Sequence, residues 1–278
     1  MRIINLIENT QGRSDCLCAH GLSFYVETGK HKLLLDLGPS EETIKNAEVL
    51  GIDLSAVDTV ILSHGHYDHS GGIIPFTKIN DKALIYMQES ATDDYFADDG
   101  VDSPERYRYI GIDKDISVLP QVRFLSSDTV IDDELEVFAI HSRNHELPFT
   151  NKRLLVRTGE DFHRDEFKHE HFLVIHQEGK SVLMSGCAHN GILSILDAYK
   201  EKYGNLPNLM VSGFHLMKKT DYRDSEIREI KSMASELKNY PTKFVTCHCT
   251  GTVAYDLMKD IMGDRLEYVH SGEEVILG

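Results

Sequence analysis

Three histidines and one aspartate lie within six consecutive positions of the stretch SHGHYDHSGG, residues 63–72, namely His64, His66, Asp68 and His69. Imidazole nitrogens and carboxylate oxygens are ligands that suit zinc, iron or manganese. Residues 57–62, directly before the stretch, have the apolar character and length of a buried strand. A loop that leaves a strand can direct alternate side chains into one site, so we expect His64 and His66 to share one metal ion. Asp68 and His69, one turn further on, are expected to face a second.

The composition of the whole chain narrows the class of partner. Among 278 residues there are 45 acidic and 29 basic side chains and 15 histidines, with a net charge of −16 when histidine is neutral. This charge argues against a nucleic-acid backbone or an anionic membrane as partner, because both need a basic face. Five cysteines are an odd number for a disulfide framework, and the first residues lack the apolar segment of a signal peptide. We therefore expect a cytoplasmic protein with a small-molecule substrate, no nucleic-acid partner and no membrane partner.

The elements around the metal-binding stretch favour one layered α/β domain over residues 1–278. Short strand-like runs fill the first third, and from Ser181 onward strands alternate with helices. Early strands and late alternation predict two packed sheets with helices outside them. Residues 88–116 are polar, acidic and rich in tyrosine, without a clean period. Two interpretations stay open for this segment, a lid or insertion near the site and a long surface excursion.

Three later motifs extend the pattern beyond the histidine-rich stretch. They are GCAHNG at 186–191, GFHL at 213–216 and HCTG at 248–251. The H-x-H-x-D-H stretch resembles the metal-binding motif of the metallo-β-lactamase superfamily. With the later motifs, the chain resembles its branch of metal-dependent hydrolases and 7,8-dihydropterin-6-yl-methyl-4-(β-D-ribofuranosyl)aminobenzene 5'-phosphate synthases. The resemblance implies a four-layer αβ/βα sandwich with two divalent metal ions, zinc as first choice and iron or manganese as alternatives.

Position by position, the resemblance also implies a set of ligands. The implied metal ligands are His64, His66, Asp68, His69, His189 and His248. Cys187 stands roughly where many members have a bridging aspartate, and it is either a ligand or a core thiol. One of four middle histidines can be a further ligand, although surface or supporting roles are the alternative: His141, His145, His169 and His171. Cys247 and Cys249 flank His248 and, on a strand, would point to the opposite face, so we expect both to pack away from the site.

Further residues are expected to support the site or to contact substrate. We call residues 63–72 the metal loop, and Asp36, at an early strand end, is implied to support its histidines. His20 and His215 are expected at the rim of the pocket or in the core. Two glycine-containing helix starts, near residues 190 and 251, would favour a phosphate or carboxylate beside the metal ions. Four basic side chains are candidate anion clamps or plain surface charges: Arg106, Arg108, Lys114 and Arg143.

The function implied by this set is hydrolysis by a metal-activated water molecule. Asp68 and His215 are the expected catalytic residues: Asp68 would hold a metal ion and accept a hydrogen bond from the nucleophile, and His215 would stabilise negative charge. The substrate would be an ester, a phosphoester or a related small molecule, with a phosphate-bearing compound among the candidates. Three alternatives stay open: a transferase that resembles the synthase of the branch, a di-iron redox protein and a non-catalytic binder on the same fold.

Overall fold

The computed structural model describes residues 1–276, so the last two positions of the expected domain lie outside the described residues. Three β-sheets account for its strands. The first sheet has six strands in the order β1-β2-β3-β4-β5-β8. Its strands are β1 (Arg2–Ile7), β2 (Ser23–Glu27), β3 (Lys32–Leu35), β4 (Thr59–Ile61), β5 (Leu84–Gln88) and β8 (Val122–Leu125). The first three pair antiparallel, and β3, β4, β5 and β8 run parallel.

The second sheet has seven strands in the order β17-β16-β15-β14-β13-β10-β9. Its strands are β9 (Thr129–Val130), β10 (Leu135–Phe138), β13 (Phe172–Gln177), β14 (Lys180–Cys187), β15 (Leu209–Gly213), β16 (Lys243–Thr246) and β17 (Leu266–Tyr268). The four strands from β14 to β17 run parallel, as the expected alternation of strands and helices requires.

The third sheet is small and entirely antiparallel, in the order β12-β11-β6-β7. Its strands are β6 (Asp94–Asp98), β7 (Tyr107–Tyr109), β11 (Leu154–Thr158) and β12 (Asp161–Arg164). Two of these strands come from the tyrosine-rich segment 88–116, and two come from a hairpin about 50 residues later. The segment had no visible period because its strands are only five and three residues long.

Within the described part of the chain, six α-helices complete the fold. They are α1 (Glu42–Val49), α2 (Tyr67–Ser70), α3 (Ile73–Thr77), α4 (Ile192–Tyr203), α5 (Asp224–Leu237) and α6 (Thr252–Met262). Within residues 1–276, every helix is too short or too polar to cross a lipid bilayer.

The layers follow from the alternation of side chains along the strands. On β3, Leu33 and Leu35 join the apolar core between the two large sheets, whereas Leu34 joins the core under α1. On β15, Val211 faces the core between the sheets, and Met210 faces the core under α4, α5 and α6. Helices therefore cover the outer face of each large sheet, which confirms the predicted four-layer αβ/βα sandwich.

Candidate metal centre

The candidate site lies where parallel strands of both large sheets end. The metal loop follows β4 of the first sheet, and His189, His215 and His248 follow β14, β15 and β16 of the second. Carboxyl ends of parallel strands meet at one edge, which is where α/β proteins place their sites. This topology brings together side chains that are up to 184 residues apart in sequence.

The first group of predicted ligands consists of His64, His66 and His189, all buried. One nitrogen from each ring lies within 4.8 Å of the others. The Nε2 atoms of His64 and His189 are 3.3 Å apart, and Nε2 of His66 is buried without a hydrogen-bond partner. Three ring nitrogens therefore converge on one point.

The second group consists of Asp68, His69 and His248, on the side of the cavity nearer the rim. Asp68 Oδ2 lies 3.8 Å from His69 Nε2 and 3.6 Å from His248 Nε2. His20, whose side chain is about half exposed, approaches the same oxygen at 3.4 Å. Between the two groups lies Cys187, whose Sγ is 3.5 Å from His69 Nε2. The second group thus offers nitrogen, oxygen and sulfur, where the first offers nitrogen alone.

Hydrogen bonds set the orientation of the rings in the first group. The Asp36 carboxylate can only accept, so the Ser63 hydroxyl donates to it at 2.7 Å and accepts from His64 Nδ1 at 2.8 Å. Asn151 donates its amide N–H to the His189 carbonyl, which turns its Oδ1 towards His189 Nδ1 at 3.1 Å. Each bond leaves the Nε2 lone pair of the histidine directed into the site.

The same logic applies in the second group. His69 Nδ1 donates to Asp36 Oδ2 at 2.6 Å, and His248 Nδ1 donates to Asn9 Oδ1 at 2.8 Å. The inward Nε2 of His248 has no hydrogen-bond partner although it is buried. Without a cation, lone pairs that face one another in a buried site are unfavourable. The donor set therefore fits divalent metal ions, and the role of the six residues as ligands stays a prediction.

The protonation equilibria agree with this donor set. Burial, and then the neighbouring imidazoles, lower the pKa of His64, His66, His189 and His248 well below the ordinary value, which keeps these rings neutral.

The pKa values of His69 and Asp68 move against the effect of burial. Burial alone would lower the pKa of His69, but the carboxylates of Asp36 and Asp68 outweigh it and raise that pKa. Burial alone would raise the pKa of Asp68, but the surrounding imidazoles outweigh it and lower the pKa. The carboxylate of Asp68 is therefore ionised and can accept hydrogen bonds.

Asp36 supports the metal loop as the resemblance implied. It lies directly after β3 with a φ of 61°, and its Oδ1 accepts from the Ser63 backbone N–H at 2.7 Å. A Cβ on Gly186 would collide with the Asp36 carboxylate and the Ser63 hydroxyl, so only glycine allows β14 to approach the loop this closely.

Three buried polar residues that the sequence analysis missed hold the first group. Glu170 accepts from the backbone N–H groups of His189 and Asn190 at 2.8 and 2.9 Å. Burial raises the pKa of Glu170 to about 7, although these donors oppose the shift. Asn151 is the second, and Asp165 is the third, since it binds His169 Nε2 at 2.9 Å. Glu170 and Asn151 act through residues distant in sequence, so no local motif marks them. Asp165 acts through His169, four residues later, which accepts from the Gly65 backbone N–H.

The N-terminal segment holds the second group. Glu8 is fully buried and accepts from the His248 backbone N–H at 2.9 Å, while Asn9 orients the ring. His248 has a φ of 48°, and His215 has a φ of 52°. Such left-handed conformations cost free energy in non-glycine residues and concentrate at functional sites.

The four middle histidines take supporting or surface positions. His169 uses both ring nitrogens, one towards Asp165 and the other accepting from the Gly65 backbone N–H at 2.9 Å. His171 is buried, and its Nδ1 lies 3.3 Å from the Gln88 amide. His141 and His145 pair with surface aspartates. His169 also lies with His66 and Asp165 in a group whose donor atoms are within 4.8 Å of one another, so a ligand role for a middle histidine stays a prediction.

The two cysteines that flank His248 differ from one another. Cys247 packs in the core between the sheets, as expected. Cys249 does not pack away from the site: its Sγ lies 3.0 Å from Cys187 Sγ, and it lines the cavity. The prediction for Cys249 is wrong because His248–Thr250 forms a 3₁₀ turn, in which the alternation of a strand does not apply.

A cavity of about 130 Å³ opens onto both groups of predicted ligands. Its wall includes His20, His215, Thr150 and two arginines, Arg108 and Arg153. Of the four basic side chains considered as anion clamps, Arg108 is therefore the one in the cavity wall. Arg106 and Lys114 pair with aspartates, and Arg143 binds the Asn190 side chain and the Glu166 carbonyl. Arg153 was not predicted.

Comparison with known proteins agrees with this geometry. The family model for the metallo-β-lactamase superfamily matches residues 18–148, which include the metal loop. The chain is 28% identical to 7,8-dihydropterin-6-methyl-4-(β-D-ribofuranosyl)-aminobenzene-5'-phosphate synthase of Methanocaldococcus jannaschii, over 98% of this chain and 95% of that protein.

Solved structures show the same similarity. Tm1679, described as a metal-dependent hydrolase of the β-lactamase superfamily, superimposes with a TM-score of 0.81 and 27% identity, over 100% of this chain and 99% of that one. Zn²⁺-bound PqqB from Methylobacterium extorquens shares the fold, with a TM-score of 0.55 and 15% identity over the full length of both chains. The fold, the family model over residues 18–148 and these relatives all make the chain similar to members of the metallo-β-lactamase superfamily.

Proposed function

We propose that the chain is a metal-dependent hydrolase that cleaves an ester, a phosphoester or a related bond in a small molecule. The observation that carries the proposal is the convergence of inward-facing Nε2 atoms from both sheets, with His64 and His189 only 3.3 Å apart. With both Nδ1 atoms donating outwards, the two Nε2 lone pairs face one another, and a cation between or beside them would relieve this repulsion. When bound, two divalent metal ions lower the pKa of water and polarise the bond to be cleaved.

The proposal assigns each group of ligands to one metal ion. His64, His66 and His189 would hold the first ion, and Asp68, His69 and His248 would hold the second. Cys187, between the groups, is a candidate ligand of the second. Zinc is the metal we propose first, because imidazole, carboxylate and thiolate together suit it better than magnesium or calcium. Iron and manganese remain the alternatives.

Two side chains are proposed to act on the reacting atoms. Asp68 is ionised, lines the cavity and would accept a proton or a hydrogen bond from the attacking water molecule. His215 also lines the cavity, and its Nδ1 is buried without a partner. Burial lowers the pKa of His215 to about 3, so the ring is neutral and can donate one N–H to an oxygen that becomes negative.

The experiment combines element analysis of the purified protein with a substrate screen. Phosphodiesters, phosphomonoesters, lactones and thioesters are tested with and without added zinc, manganese or iron. We expect two equivalents of metal and a turnover that falls at least about a hundredfold when a chelator removes them. The His64→Ala variant is the control for the site. Undiminished turnover in metal-depleted protein, or in this variant, would overturn the proposal.

A transferase is the second candidate, because the chain matches the synthase of M. jannaschii over nearly its full length. In that case the metal-held group would be passed to an organic acceptor rather than to water. Turnover in H₂¹⁸O separates the two: a hydrolase places ¹⁸O in one product, whereas a transferase does so only when the acceptor is missing. Incorporation of ¹⁸O with every acceptor present would remove the second candidate.

A further inference from the structure

Two arginines stand in the cavity wall on the side of the small sheet. Arg108 lies on β7, and Arg153 lies directly before β11, so both belong to the third sheet or its edge. They line the same cavity as Asp68, His189 and His215. The cavity that holds the candidate metal groups therefore also has cationic side chains in its wall.

The two guanidinium groups are held together by one carboxylate. Arg108 Nε donates to Asp99 Oδ2 at 2.8 Å, and Arg153 Nη1 donates to Asp99 Oδ1 at 2.5 Å. Each carboxylate oxygen is used once, so Asp99 fixes the two arginines side by side. Two positive charges share one negative charge here, in a chain whose net charge is −16.

The pair is also fixed relative to the metal loop. Tyr67 lies between two predicted ligands, and its backbone N–H donates to the carbonyl of Ile110, two residues after Arg108, at 3.0 Å. The strand that carries Arg108 is thus tied to the loop that carries Asp68. The side chains of Arg108 and Arg153 are 36% and 47% exposed. Each guanidinium group has further N–H groups beyond the one that it donates to Asp99, so both arginines remain open to a ligand.

Resting on the proposed hydrolase function, we propose that Arg108 and Arg153 bind an oxyanion, a carboxylate or phosphate, on the substrate at a distance from the bond that is cleaved. Paired guanidinium groups match the geometry of either oxyanion, and the surplus positive charge would be neutralised by it. The substrate class is therefore a small ester-type molecule with a separate anionic tail. This recognition is independent of the metal ligands, since it lies on the small sheet.

The same sheet offers a matched control. Arg106 lies two positions before Arg108 and pairs with Asp98, with its guanidinium over the ring of Tyr107. Arg106 is absent from the described wall of the cavity. Substitution of Arg106 removes a similar surface charge without touching the proposed subsite.

The experiment measures a preference between matched esters with the metal-loaded full chain. Mono-p-nitrophenyl esters of succinic, glutaric and adipic acid are compared with the same esters methylated at the free carboxylate, and a phosphonate-terminated series separates phosphate from carboxylate. We expect kcat/KM for the best acid-tailed ester to exceed that of its methylated partner by at least about tenfold in the wild type. This ratio should fall towards one in R108Q and R153Q, mainly through KM, and should hold in R106Q.

The outcomes separate the subsite from the hydrolase. Metal-dependent cleavage with a ratio near one in the wild type, or with a ratio that survives in both R108Q and R153Q, overturns the subsite and leaves the hydrolase standing. If no ester is cleaved, titration of the metal-loaded protein with glutarate decides. Binding that weakens at least about tenfold in R153Q, less in Arg153→Lys and not in R106Q supports the subsite. Equal binding by all variants, or no binding, overturns it.

Discussion

The two groups of predicted ligands differ in chemistry and in the parts of the chain that support them. The first group is three imidazoles, supported by Glu170 before β13 and by Asn151 before β11. The second group mixes carboxylate, imidazole and a nearby thiol, and the N-terminal Asn9 supports it. Asp36 serves both groups, because it accepts from His69 directly and holds the Ser63 hydroxyl that accepts from His64. The groups can therefore be weakened separately through Asn151 and Asn9, which they do not share.

The largest loss of stability and of metal binding is expected from a substitution at Gly186, which lies against supports of both groups. In Gly186→Ala, the new methyl would press on Asp36, on Ser63 and on His69 Nδ1 at 3.0 Å, and so disturb supports of both groups. We expect a loss of about 1–3 kcal/mol in the free energy of unfolding and loss of both metal equivalents. Gly204→Ala is the control, since nothing lies near a Cβ there and only its φ of 76° is strained. Denaturation measures the free energy of unfolding of each variant, and element analysis measures its metal content. Full metal content in Gly186→Ala would contradict the expectation.

A smaller effect is expected from the separate supports. Asn9→Ala removes the acceptor for His248, whereas Asn151→Ala removes the acceptor for His189. We expect Asn9→Ala to weaken the second metal ion by about 10–100-fold and Asn151→Ala to weaken the first by a similar factor. Competition with a chromophoric chelator resolves the two equivalents. Loss of the same equivalent in both variants would show that the groups act as one unit.

The thiols of Cys187 and Cys249 provide a test of whether sulfur belongs to the second group. Cys187 Sγ is 3.5 Å from His69 Nε2, while Cys249 contacts Cys187. We expect Cys187→Ser to weaken the second metal ion about tenfold and to abolish the near-ultraviolet thiolate absorption of cobalt-substituted protein. Cys249→Ser is the matched control and should keep that absorption. If neither variant changes the spectrum, Cys187 is a packing residue.

The smallest effect on stability is expected at Glu226, which belongs to neither group. Glu226 lies in the first turn of α5 and binds Arg223 and Lys218, each at 2.7 Å. The side-chain hydrogen bond from Arg223, followed by the one from Lys218, lowers the pKa of Glu226 to about 2. The stabilisation is therefore complete above pH 4.5 and is lost as the pH falls towards 2.

Glu226→Gln should accordingly cost about 1 kcal/mol at neutral pH, with unchanged metal content. Urea denaturation of both proteins between pH 3 and pH 7 measures the difference, which should shrink as the pH falls. A difference that grows on acidification would contradict the assigned ion pairs.

Much of the fold could be predicted, since strand-like runs and alternation with helices are local patterns. The small sheet could not, because β6 and β7 have only five and three residues and β6 pairs with β11 of a distant hairpin. The metal loop and Asp36 were visible as motifs. Glu170 and Asn151 were not, because a buried polar residue acquires its role from residues that lie elsewhere in the chain. Arg153 was not, because only the fold brings this exposed side chain to the cavity wall.

The sequence by itself determined the donor types and their order, from the metal loop to His189 and His248, because ligand chemistry and short spacings are properties of the chain. The tertiary structure decided which ring nitrogens face inward, how close the predicted ligands lie to one another and which arginines share the cavity. Those features depend on distances between strand ends from two sheets. Such distances are determined by packing of the core and not by local sequence.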